Sequence, residues 1–435
     1  MYIETVNAYL ERKHEELRLL NCCLKTPLPL NYPRSVAEVV RHKFQLTAAL
    51  KAQHALEDWA VTETAWADPG PRRSGPFEFS YDYQRADLVA RGPSFYELGQ
   101  DNTGETVYTA SGMAAISAVL LASAQVIDEA DILVLPGSYG ETRELIEGYA
   151  RHLRAVTLKR SLEQAILPGR SPTIILLDSS APASAFEATL RWKRSALDLV
   201  IFDTTCFSGS SGRIRRALSW ARECDLPVVM VRSHTKLDSL GAEYGRLGSA
   251  VFVHWEKKVS SANRSKFKNL PAETRNAVRL LGGAALPGHF PPYIGTPAYR
   301  KLTNKRMAAI LRNSRRSSRY FASRLPGLTA ELRFAHGLYV TLSSNNALDE
   351  TTARRAAAEM SDELGRAGLP IRHAGSFGFD FAATEWFRDF TTDSYSVRVA
   401  VPDLPTSLWD ELTEAIAQWW STHQSKRTNA AIRYR

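Results

Sequence analysis

Leu226-Pro227-Val228-Val229-Met230-Val231-Arg232-Ser233-His234-Thr235-Lys236 is the stretch from which the fold of this chain can be read. Its apolar opening is a short continuous run and reads as a buried strand. Lys236 stands at the end of that strand, beside Ser233 and Thr235 and ahead of Leu240-Gly241. An amine that is partly desolvated and held near an electrophile is a covalent catalyst, and two neighbouring hydroxyls suit a phosphate. A strand-end lysine by itself is most often a solvated charge, so the reading depends on what accompanies it.

Upstream, Tyr108 to Ala122 reads as a strand or turn feeding a helix, with Ser111-Gly112-Met113 at the helix entrance. Small residues there let backbone amides and the positive helix end approach an anion; the plainer reading is a serine N-cap on a buried Ala-rich helix. The strand Ile132 to Leu135 ends in Pro136-Gly137-Ser138-Tyr139-Gly140, where a tyrosine in a glycine-flanked loop can lie on a flat cofactor. Two more strands end in acids, Thr173 to Leu177 in Asp178 and Leu199 to Phe202 in Asp203. Ligands of open α/β sheets bind outside the carboxyl ends of the strands, although an acid at such a place is commonly only a turn or helix cap. Asp203 is the candidate to pair with a protonated pyridine nitrogen and so keep a cofactor ring electron-poor. Together these pieces point to pyridoxal 5'-phosphate, held covalently by Lys236 and through its phosphate by the hydroxyls and the helix entrance.

Taken jointly, the motifs resemble the Cys/Met-metabolism family of pyridoxal-phosphate enzymes of fold type I, which includes cystathionine γ-synthases and methionine γ-lyases. The resemblance runs from about Tyr81 to Arg398 and rests on Ser111 to Ile116, Tyr139-Gly140-Glu141-Thr142, Asp203-Thr204-Thr205 and Ser233-His234-Thr235-Lys236, in that order. It implies that the Gly112 and Met113 amides bind phosphate with Ser111, Ser233 and Thr235, that Tyr139 covers the ring, and that Asp203 meets the ring nitrogen. It also implies that Tyr83 and Arg85, in Tyr83-Gln84-Arg85, reach the phosphate of a neighbouring subunit, so that the active unit is a homodimer or tetramer. Arg398 and Ser376 match positions that hold a substrate α-carboxylate. Lys236, helped by Tyr139 or Tyr83, would move protons on the substrate.

The chain departs from that pattern around the substrate. An expected asparagine is missing after Asp178, where Ser179 or Ser180 stands; Glu141 replaces a glycine; and Phe379, Asp380, Phe381, Glu385, Trp386 and Phe387 follow Ser376. The aromatic and acidic residues suggest a bulky second substrate and favour γ-replacement, including carbon–carbon bond formation, on a γ-activated amino acid. Elimination or transamination on the same fold is the alternative, and a non-catalytic basic binding protein a distant one.

The 435 residues carry a formal charge of +9, four cysteines and 44% hydrophobic residues. The charge admits an anionic acceptor, but the chain lacks the recognition motifs of nucleic-acid modules. No apolar run long enough to span a membrane, no secretory signal and no metal-ligand spacing is seen, which predicts a cytoplasmic protein without a metal. Residues 1–74 read as a helical N-terminal extension, with helices over Tyr2–Leu20 and Ser35–Ala67, serving dimer contacts or covering the cleft. Alternating strands and helices over 75–285 predict a large α/β domain on a mostly parallel sheet. Residues 286–435 predict a small C-terminal α+β domain, ending in a helix over Ser407–His423 and a frayed tail from Arg427. The run Arg312 to Arg319 reads as the solvated face of an amphipathic helix.

Overall fold

The computed structural model describes the chain apart from residues 1–2, 65–71, 81–87, 98–103, 159–171, 193–196, 254, 256–266, 326–329, 332–336, 345–346, 390–392 and 434–435. Its centre is a seven-stranded sheet of β4 (Gly104–Thr109), β5 (Ala130–Val134), β6 (Leu153–Thr157), β7 (Thr173–Asp178), β8 (Leu199–Asp203), β9 (Val228–Ser233) and β10 (Gly248–Val253). The order is β4-β10-β9-β8-β7-β5-β6. Only β10 runs against its neighbours; the other pairings from β9 to β6 are parallel. Strands β7, β8 and β9 are buried along nearly their whole length, which is why they read as unbroken apolar runs. The expected mostly parallel sheet is therefore present, and it brings the ends of β4, β7, β8 and β9 to one edge.

Helix α1 (Val6–Asn21) begins later than expected because the Thr5 hydroxyl accepts the Ala8 amide and caps it. Helix α2 (Val36–Thr64) follows, then a small antiparallel sheet of β1 (Arg72–Ser74), β2 (Phe77–Ser80) and β3 (Val89–Arg91). Phe77 and Phe79 of that sheet pack on Phe290. A second large sheet contains β11 (Ala330–Glu331), β12 (Tyr339–Leu342), β13 (Ile371–His373), β14 (Ala382–Asp389) and β15 (Ser394–Ala400) in the order β11-β12-β15-β14-β13. Helices Glu350–Arg366 and Thr406–Arg433 cover it, with Leu342, Met360, Val399, Trp409 and Trp420 in the shared core. The last helix continues to Arg433, so the expected frayed tail is helical through that residue. Among the described residues no helix is long and apolar enough to cross a membrane.

The arginine-rich run is less solvated than its pattern suggests. Arg315 and Arg319 are exposed on the Pro297–Arg324 helix, but Arg312 pairs with Glu4 and Arg316 with Asp410. Deeper in the same helix, Arg306 enters a buried cluster in which it, Arg12, Lys13 and Lys43 meet Glu4, Glu16, Asp380 and Asp403. Lys13 Nζ lies 2.5 Å from Asp380 and 2.7 Å from Asp403. Arg306 also donates to the Gly378 carbonyl at 2.5 Å, and Lys43 donates to the Leu240 carbonyl. The two N-terminal helices thereby clasp both the loop after Lys236 and the segment after Ser376.

Candidate active site

The end of β9 is fixed before the lysine is reached. Arg232, fully buried, makes a two-point contact with Asp238, 2.7 Å on each arm, and donates to the Thr204 and Phe207 carbonyls. His234 bridges Asp238 and Ser249 at 2.7 and 2.9 Å. Burial pushes the Asp238 carboxyl up, but Arg232 and His234 outweigh it and hold the group well below its ordinary range. This ionised hub orders the turn that presents Lys236 to a cavity of about 240 Å³ at the strand ends. A larger groove of about 900 Å³ lies between α2 and the Glu350–Arg366 helix, and among the described residues no lysine or thiol lines it.

Lys236 Nζ donates to Ser376 Oγ at 2.8 Å and lies 5.0 Å from the centre of the Phe377 ring. Burial depresses its pKa, favouring the neutral amine that nucleophilic and base chemistry require. Helix α3 (Gly112–Ala122) starts at the same cavity, with Ser111 Oγ accepting the Ala114 amide. A side chain on Gly112 would place Cβ 2.8 Å from Ser233 Cβ, so only glycine lets the helix entrance approach the end of β9 this closely. Ser233 Oγ and Thr235 Oγ1 are 2.9 Å apart, and the Ser233 amide donates to Thr205. Hydroxyls and helix-entrance residues converge there, as an anion cradle requires.

Asp203 and Asp178 are direct neighbours across β8 and β7. The Thr205 amide donates to Asp203 Oδ1 at 2.8 Å; the Tyr139 and Ser180 amides donate to Asp178 at 2.7 and 2.6 Å. Burial, then the adjacent Asp178, push Asp203 up to about 7. A cation at Asp203 would relieve both effects, and that is the chemistry of a protonated pyridine nitrogen. Tyr139 precedes α4 (Gly140–Gly148) and lines the cavity; burial and Glu141 raise its pKa, so it carries its proton. Arg398, on β15, also lines the cavity, but it is paired with Glu385 across β14 at 2.7 Å.

The structure thus brings Ser111, Gly112, Met113, Tyr139, Asp203, Ser233, Thr235, Lys236, Ser376 and Arg398 to one cavity. Tyr83 and Arg85 lie outside the described residues. Sequence reasoning missed Tyr339 and left Glu385 among a group of aromatic neighbours. The alternation of β14 was the usable signal: it separates Glu385 from Trp386. Phe379, Phe381 and Trp386 do not form the expected acceptor wall. Phe379 and Phe381 stack on each other, 4.9 Å apart, in the core of the second sheet, Asp380 joins the buried charge cluster, and Trp386 packs on Tyr395 and under Arg354. Of that group only Glu385 lines the cavity. Cys206 lines it as well; burial and the two aspartates push its thiol up to about 12. Ser179 Oγ, a candidate for the missing asparagine, accepts the Cys206 amide.

No family model matches the chain, and no curated protein matches it. Solved structures of similar fold include cystathionine gamma synthase from Xanthomonas oryzae pv. oryzae, 16% identical over 73% of this chain and 82% of that one, with a TM-score of 0.48. Serine palmitoyltransferase from Sphingomonas wittichii is 15% identical over 73% and 72%, with a TM-score of 0.49. The 8-amino-7-oxononanoate synthase of Francisella tularensis is 13% identical over 73% and 83%, with a TM-score of 0.45.

Proposed function

We propose that this chain is a pyridoxal-phosphate enzyme of fold type I that acts on an amino acid. The observation that carries the reading is the convergence on one cavity of a depressed-pKa lysine, an anion cradle at Gly112 and Ser233, and a buried acid pair with Asp203 needing a cation. The donor set fits the cofactor group by group. Ser111, Gly112, Met113, Ser233 and Thr235 would hold its phosphate, Asp203 its ring nitrogen and Lys236 its carbonyl carbon, with Tyr139 beside the ring. Bound there, the cofactor supplies an electron sink for charge developing on the amine-bearing carbon.

The protein's own part is positioning and proton transfer. Lys236 Nζ, once free, takes the proton from the substrate Cα, and its contact with Ser376 Oγ fixes the direction from which it does so. Tyr139, which keeps its proton, can donate to the substrate. Within this reading, the motif resemblance supports γ-replacement on a γ-activated amino acid, with elimination as the alternative. The loss of the aromatic wall removes one support for a bulky acceptor. A homodimer sharing its sites through Tyr83 and Arg85 belongs to the same proposal.

The test is cofactor retention. Protein reconstituted with pyridoxal phosphate and treated with borohydride should carry the reduced cofactor on the peptide containing Lys236, and Lys236→Ala should carry none. Equal labelling of both proteins would refute the assignment. Amino acids with and without a γ-leaving group then distinguish γ-chemistry from transamination, which would leave the amine on the cofactor.

A further inference from the structure

Glu385 and Arg398 face each other across β14 and β15, with Nε 2.7 Å from Oε1. The guanidinium lies 4.5 Å from the Tyr339 ring centre and 5.0 Å from that of Phe387, so aromatic surfaces restrain it. Both charged groups are nearly buried, their side chains 11% and 13% exposed, and both line the cavity that holds Lys236. Gly375, next to Ser376, leaves room for the acid, since a Cβ there would lie 3.3 Å from Glu385 Oε2. The protein's own carboxylate thus stands against the guanidinium that a substrate carboxylate would use.

Closed, the pair is neutral. A substrate carboxylate entering beside it brings an unbalanced negative charge into a nearly dry place, which is unfavourable unless Glu385 moves off Arg398. An amine without a carboxylate next to its nitrogen brings no such charge. An uncompensated like charge is a common means of discriminating between ligands.

We propose that Glu385 is an internal counter-anion that lets this cavity take two classes of amine: amines with no carboxylate on the amine-bearing carbon, which find the Glu385–Arg398 pair closed, and α-amino acids, whose carboxylate takes Arg398 only by displacing Glu385. The proposal rests on the pyridoxal-phosphate reading above and extends its substrate range to simple amines.

The test uses two reagents that displace Lys236 from the bound cofactor and bleach its visible absorption. Aminooxyacetate and O-methylhydroxylamine differ by one carboxylate, and each rate is divided by that with free pyridoxal phosphate. In the wild-type holoenzyme, aminooxyacetate should react no faster than O-methylhydroxylamine, and propionate should not protect against the latter. In Glu385→Gln, the aminooxyacetate rate should rise about tenfold, equivalent to ~1.4 kcal/mol of binding, with the other reagent within about twofold and propionate now protective. A wild-type protein already tenfold faster with aminooxyacetate, or protected by propionate, would overturn the proposal, as would an unchanged ratio in Glu385→Gln. The wild-type measurements decide the matter even if the variant does not fold. A protein with no cofactor band before any reagent is added fails the cofactor reading itself, and this proposal with it.

Discussion

The buried pair of acids at the ends of β7 and β8 makes the stability of the cofactor-free protein depend on pH in an unusual direction. Asp203, ordinarily near 3.8, is pushed up to about 7 by burial and by Asp178 beside it. A carboxyl whose folded-state pKa is raised stabilises the fold fully below its unfolded value, and that contribution is lost as pH rises through the folded value. At 1.36 kcal/mol per pH unit, an isolated group shifted this far would lose roughly 4 kcal/mol between pH 4 and 7. Asp178 is raised too, by burial, and its charge acts on Asp203, so the two titrations interact and the part removed by Asp203→Asn is roughly 2–4 kcal/mol. The measurement is urea unfolding of wild-type and Asp203→Asn protein without cofactor, at several pH values from 4 to 8, followed through the nine tryptophans. Wild type should lose more stability than the variant as pH rises, by that amount; other titrating groups are common to both and cancel. Parallel pH profiles, agreeing within about 0.5 kcal/mol, would show that Asp203 is ionised throughout and would remove the argument that it needs a cationic partner.

Other substitutions test other parts of the arrangement. Gly112→Ala places Cβ 2.8 Å from Ser233 Cβ and should cost about 1–3 kcal/mol of stability while weakening cofactor retention; unchanged retention would show that the helix entrance does not hold the phosphate. Arg306→Met, which strips a fully buried cation from Glu16, Asp380 and Asp403, should destabilise the protein by about 3–5 kcal/mol in denaturant titrations; a loss below about 1 kcal/mol would mean the cluster is hydrated. Cys206, whose thiol pKa is pushed up to about 12 by burial and the two aspartates, should react with iodoacetamide at pH 8 far more slowly than the exposed Cys22; similar labelling rates, read by peptide mass, would contradict its burial.

The parts of the site visible in the sequence are those carried by local pattern. Lys236, Asp203 and Tyr139 each follow a strand made of consecutive apolar residues, and parallel strands deliver their ends to one edge whatever the rest of the chain does. Gly112 is legible because a helix entrance meeting another backbone tolerates no side chain. Glu385 was harder, since its meaning depends on the register that sets it against Arg398, and register is not local. The N-terminal helices were legible as helices but not as a clasp. Lys13 and Glu16 look like an exposed helical face in Arg12-Lys13-His14-Glu15-Glu16, and what makes their burial tolerable includes partners far along the chain, Asp380 and Asp403 for Lys13 and Arg306 for Glu16. The aromatic segment after Ser376 misled for the converse reason: composition suggested a ligand wall, whereas Phe379, Phe381 and Trp386 pack on the second core and Phe387 lies beside Arg398.

That clasp also sets a timetable for biosynthesis. Arg12 and Asp403 are 391 residues apart, so at about 5–20 residues per second the first helix leaves the ribosome roughly 20–80 s before the residue that completes its charge cluster exists. During that interval Arg12, Lys13 and Glu16 are safe only in water. The charge cluster therefore cannot be complete while the strands of the central sheet are being synthesised. The tie from the first helix to the Ser376 segment can be completed only once Asp380 and Asp403 have emerged.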